Sequence, residues 1–107
     1  MKRLRLHEAA RAEYLEALHW YRAGNPEAAR RFRMAIRAAV ATLRVEASQW
    51  PLVPTVPEPL DVRRVLVKDF PYAVVFMVVE TGVVIIAVAH GKRRPGYWHD
   101  RVPVQGH

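Results

Sequence analysis

The sequence predicts a small α+β domain of order β-α-α-β-β-β, a helical hairpin packed on a small antiparallel sheet. Three observations predict it. Apolar residues recur at helical spacing from residue 8 to about residue 45, β-branched runs separated by short turns follow, and 107 residues leave room for one core. With 51% hydrophobic residues the chain can fold without disulfide or metal support. Residues 1–107 are read as one domain, with disorder expected only at the ends, among them the tail after about residue 101.

Residues 2–6 alternate charged and apolar side chains, which suits a short strand with Leu4 and Leu6 facing inward. From residue 8 to about residue 23, Ala10, Tyr14, Ala17, Leu18 and Tyr21 fall on one helical face, and Glu8 in the first turn suits the helix dipole. Gly24-Asn25-Pro26 reads as a stop followed by a start. Gly24 is free to take a left-handed C-terminal conformation, Asn25 can cap, and Pro26 is tolerated at a first helical position. The second helix runs to about residue 45, with Ala28, Phe32, Ala35, Ile36, Ala39, Val40 and Leu43 as its apolar stripe. Arg30, Arg33, Arg37 and Arg44 form a basic stripe opposite, whose default reading is a solvated face.

Between residues 47 and 60, Pro51, Pro54, Pro57 and Pro59 each lack an N–H donor, so this stretch is expected to be an extended surface connection. Residues 62–68, 72–79 and 83–90 are rich in β-branched residues, and the segments 69–71 and 80–82 are short enough for hairpin turns. They should form an antiparallel meander.

The formal net charge of +7 predicts attraction to a polyanion or to an acidic protein. With no Cys, disulfides, thiolate metal sites and thiol nucleophiles are excluded, and nothing in the sequence asks for a cofactor or a metal. No apolar stretch reaches the roughly 18 to 20 residues of a membrane span, so a cytoplasmic protein with no membrane contact is expected.

In the last two strands both alternating sets are apolar: Val83, Ile85, Ala87 and Ala89 on one side, Val84, Ile86 and Val88 on the other. One helical hairpin covers about one face of such a sheet. The other cover is either the proline-rich loop with the C-terminal tail, or a protein partner, a second copy or a dedicated binder.

Residues 88–98 read VAHGKRRPGYW: a strand end, a Gly turn, the cations Lys92, Arg93 and Arg94, a second turn and the aromatics Tyr97 and Trp98. The cations can rim a pocket and the aromatics can stack on a base or seal the sheet. This segment, preceded by Phe70-Pro71-Tyr72-Ala73-Val74-Val75-Phe76, resembles the closing half of RelE/ParE superfamily toxins. His7-Glu8-Ala9-Ala10, Trp20-Tyr21, Phe32 and Trp50-Pro51 extend the resemblance over residues from about 4 to 101.

The resemblance implies the toxin of a type II toxin–antitoxin, plasmid-stabilisation-like module. A four-stranded antiparallel sheet and a cognate, commonly acidic antitoxin wrapped around the toxin go with it. Its two branches differ in target: RelE-like members cut mRNA on the ribosome, ParE-like members inhibit DNA gyrase. Arg93 stands where the ribonuclease branch has a phosphate-contacting arginine, Tyr97 lies near its functional tyrosine, and Arg64 can serve as its basic residue on the second strand. His90 is an alternative acid or base, its unperturbed pKa being near neutrality. Yet Ala73 and Leu66 stand where that branch carries cations, and an apolar side chain cannot stabilise charge developing on phosphate. The ParE-like branch is therefore favoured, with Lys92, Arg93, Arg94 and Trp98 as target-binding residues. An inactive interaction module retaining the fold is the remaining alternative.

Overall fold

In the computed structural model, which describes residues 3–57 and 59–102, the element order is the one the sequence predicts. Strand β1 (Arg3–Leu6) leads into helices α1 (Glu8–Gly24) and α2 (Pro26–Glu46), followed by strands β2 (Val62–Leu66), β3 (Tyr72–Val79) and β4 (Gly82–His90). The expectation for the tail falls largely on residues 103–107, outside the described residues.

The helical hairpin turns on one residue. Asn25 lies in extended backbone; its N–H donates to the Tyr21 carbonyl (2.7 Å), and its Oδ1 accepts from the Glu27 amide (3.0 Å) and the Ala28 amide (3.4 Å). It thus closes α1 and caps α2, with Pro26 in the first helical turn. Gly24 accordingly stays within α1 and does not take the left-handed conformation expected of it, because Asn25 already supplies the break.

The sheet order is β1-β4-β3-β2. β2, β3 and β4 form the expected antiparallel meander, whereas β1 joins β4 in parallel, which makes the sheet mixed. Gly82 is where that junction closes. It pairs with Arg3 at positive φ, and a Cβ there would run into the Arg3 carbonyl.

One face of the sheet meets the helices. Val65, Val74, Phe76, Val83, Ile85 and Val88 pack there against Ala10, Leu18, Phe32, Ile36 and Leu43. Tyr14, Tyr21, Phe70 and Tyr72 extend this core with ring contacts, Phe32 lying 5.1 Å from Tyr21 and 5.2 Å from Phe70. The opposite face carries Val62, Val75, Met77, Ile86 and Ala87, sealed by Val53, Val56 and Leu60 of the proline-rich loop and by Trp98 and Val102. The chain therefore covers part of this face itself, and the proline-rich segment is a lid as well as a connection.

Apolar surface is left open elsewhere, at the β1 end of the helical face. There a groove of about 400 Å³ runs between β1 and α2 over Leu4, Ile36, Val40, Ile85 and Val88, with Arg5, Arg37 and Arg44 along it. Leu6, expected to face inward beside Leu4, is 48% exposed at this groove because the helices pack over β4 and stop short of the edge strand.

Candidate functional site: a cationic groove at the open end of the sheet

The loop and the C-terminal segment seal only part of the second face. Beyond them, side-chain alternation places Arg64 and Leu66 of β2 on the same face as Ala73 and Val75 of β3, since Arg64 pairs with Val75 and Leu66 with Ala73. Ala73 and Ala89 are small, so the floor is low. Arg93, Arg94, Gly96 and Tyr97 make the far wall, enclosing a groove of about 540 Å³. Among the described residues its lining includes Arg64, Arg93, Arg94 and His90 and no carboxylate.

Arg63 and Arg64 go to opposite faces, as adjacent strand residues must. Arg63 binds Asp61 (2.6 Å) and the carbonyls of Ser48 (2.9 Å) and Trp50 (2.6 Å), pinning the chain between α2 and the lid. Arg64 is left for the groove.

Arg93 lies on the exposed turn after β4 with its guanidinium 3.9 Å from the centroid of the Tyr97 ring. No side-chain hydrogen bond or ion pair engages Arg64, Arg93 or Arg94 among the described residues, so their donors are available to an anion. Lys92, expected beside them, is exposed but does not line the groove. Its backbone N–H donates to His90 Nδ1 (3.0 Å), which leaves that ring nitrogen occupied as an acceptor. Trp98 also lines the groove, but it is 4% exposed and packed against the second face of the sheet, so it presents little surface there.

Tyr97 is tied by a group that the sequence reading passed over. Its hydroxyl donates to Glu13 Oε2 at 2.6 Å. Glu13 also accepts from the Val88 amide (3.0 Å) and, through both oxygens, from Arg101 (2.9 and 3.1 Å). The reason lies in the strand lengths. β1 ends opposite Ile85, so the last residues of β4, paired with β3 on one side, have no strand neighbour on the other. Glu13 takes the open Val88 N–H, and Arg101 Nη1 donates to the open Ile86 carbonyl at 3.3 Å. Burial raises the Tyr97 phenol well above its ordinary range, helped by the hydrogen bond and charge of Glu13 against the weaker pull of Arg101 and Arg93. The only sequence signal was an acid at the margin of the α1 apolar face, between Ala10 and Tyr14.

The groove can therefore hold anionic groups, but its proton-transfer equipment is poor. Tyr97 keeps its proton and spends it on Glu13; His90 Nδ1 accepts from the chain; Ala73 and Leu66 contribute no charge. Among the described residues, no group of three or more His, Asp or Glu side chains is placed to hold a metal, and no helix is long and apolar enough to cross a membrane.

Comparison with known proteins adds the family. The family described as ParE toxin of type II toxin-antitoxin system, parDE, matches residues 4–95. No curated protein matches. Among solved structures, a chain of the chromosomal ParDE TA system from P. aeruginosa superimposes with a TM-score of 0.70 at 22% identity, covering 84% of this chain and 96% of that one. That likeness supports the fold of two helices on a four-stranded mixed sheet.

Proposed function

The chain belongs to the family of ParE toxins of type II toxin–antitoxin systems, and from that premise we propose that it arrests growth in the cytoplasm by binding DNA gyrase through the cationic groove. The observation that carries binding over cutting is the groove itself: Arg64, Arg93 and Arg94 have open donors, while the Tyr97 hydroxyl and His90 Nδ1 are engaged within the chain. Purified toxin should abolish supercoiling by gyrase, and Arg93→Ala or Arg64→Ala should weaken that inhibition, most at low salt and less as salt screens the charge that each variant removes. Supercoiling untouched at saturating toxin would sink the reading.

A second reading, a RelE-like ribosome-dependent endoribonuclease, keeps one observation in its favour: Arg64, Arg93, Tyr97 and His90 all line the same groove. It requires new cleavages in mRNA, mapped by primer extension after induction, that vanish with Arg93→Ala. Intact transcripts in arrested cells eliminate it.

The family implies a cognate antitoxin. We place its acidic, apolar segment in the groove between β1 and α2, where Arg5, Arg37 and Arg44 stand beside an apolar floor. Reversing these charges together (R5E, R37E, R44E) should abolish rescue by the co-expressed antitoxin and leave growth arrest intact. Rescue by the antitoxin at the wild-type dose removes this placement.

A further inference from the structure

We infer that Tyr97 and Glu13 are positioning residues for Arg93: the Tyr97 ring, tethered by Glu13, holds the Arg93 guanidinium in the groove, and the Tyr97 hydroxyl serves as tether and not as reactant. This rests on the reading of the groove as the target-binding surface.

Arg93 is on a turn and exposed, and its side chain has no hydrogen-bond partner among the described residues, so unsupported it would sample many rotamers and lose that freedom on binding. The ring 3.9 Å beneath it removes much of that freedom while leaving the N–H fork open. The ring is in turn fixed. Its hydroxyl is 2.6 Å from Glu13, and Glu13 is anchored by the Val88 amide of β4 and the two-pronged Arg101 contact. Arg101 also lies 5.2 Å from the same ring centroid, so two guanidinium groups bear on one phenol. A chain of contacts therefore runs from a rigid strand through Glu13 and Tyr97 to Arg93. A hydroxyl meant for proton transfer would be turned to the substrate; this one donates to a carboxylate that the Val88 amide and Arg101 hold in place.

The test compares Arg93→Ala, Tyr97→Phe, Tyr97→Leu and the Arg93→Ala/Tyr97→Leu pair in the full chain, by gyrase inhibition and by the inducer dose that arrests growth. Leucine keeps apolar volume while removing the π face, and thermal melts verify that each variant folds. Arg93→Ala should weaken inhibition on the order of tenfold or more. Tyr97→Phe, which keeps the ring and cuts only the tether, should lose no more than about threefold, the share that the tether adds; Tyr97→Leu should fall with Arg93→Ala, and the pair should be no weaker than Arg93→Ala alone.

A spectroscopic arm reads the geometry without any target. Arg93 side-chain protons should be shifted upfield by the ring current in the wild type and in Tyr97→Phe, and return toward random-coil values in Tyr97→Leu. Tyr97→Phe as deficient as Tyr97→Leu in a folded protein would make the hydroxyl the functional group and overturn the proposal. Independent, additive losses in the pair, or unshifted Arg93 protons in the wild type, would overturn it as well. If Arg93→Ala inhibits like wild type, the groove reading falls and takes the proposal with it; if Arg93→Ala is deficient and Tyr97→Leu is not, only the positioning role is refuted.

Discussion

Replacing Glu13 by Ala removes the acceptor from three donors at once. Arg101 is left as a cation whose side chain is 17% exposed, beside a Glu13 side chain that is itself 15% exposed, so solvent screens the pair only in part. At an effective dielectric near 20, a charge pair about 4 Å apart attracts by roughly 4 kcal/mol, and desolvation offsets part of that. The Val88 N–H and the Tyr97 O–H each lose a partner, at about 1 kcal/mol apiece when water can reach them and more when it cannot. A net loss of about 3 kcal/mol follows, which for a domain of this size is a fall in Tm of roughly 12 to 24 °C. Thermal melts and urea titrations of Glu13→Ala measure it directly. The paired variant Glu13→Leu/Arg101→Met removes the stranded charge with the acceptor and should recover much of the loss. A fall of less than about 4 °C in Glu13→Ala, or a pair no more stable than the single variant, would show that Glu13 is exchangeable with water and refute the clamp.

Three further perturbations separate alternatives. Gly24→Ala should stabilise by about 0.5 kcal/mol, because Gly24 is helical with open space where a Cβ would go; destabilisation would restore the left-handed cap. Gly82→Ala should cost about 2 kcal/mol or more, since its Cβ meets the Arg3 backbone at positive φ; a melt unchanged from wild type would mean that β1 does not dock as described. The Tyr97 phenol titrates above its unfolded value of 10.0 through burial first and Glu13 second, so its contribution is complete below that pH and is lost as pH rises through the folded value. Melts between about pH 9 and 11.5 should therefore decline less steeply in Tyr97→Phe than in wild type; equal slopes would contradict the tether.

Much of the candidate site was readable as residues and little of it as an arrangement. Arg64, Arg93, His90 and Tyr97 stood out by charge, chemistry and the strand-end context, and all four line the groove. Trp98 and Tyr97 carry the same kind of aromatic surface, yet Trp98 went into the core and Tyr97 to the rim, because adjacent residues in a turn point apart and only one direction led under the sheet. Glu13 and Arg101 were not singled out at all. They lie 88 positions apart, and their pairing exists only because β4 outruns β1 and leaves an N–H and a carbonyl to be satisfied. Leu6 was misplaced for a related reason: alternation gives a strand its faces, but only the packing of the helices decides which end of a face is covered.

By itself, the sequence determined the elements and their order. Periodicity, the Asn25-Pro26 junction and the β-branched runs are local properties, written in spacing and backbone preference over a few residues. Local too were the excess of positive charge and its concentration at the end of β4. Tertiary structure alone decided the parallel pairing of β1, the use of the proline-rich loop as a lid, and the Glu13 clamp that sets Tyr97 beneath Arg93. Each depends on groups far apart in the chain satisfying one another's hydrogen bonds or burying one another's surface. Such complementarity has no spacing in the sequence; it exists only once the sheet has edges to close and a second face to cover.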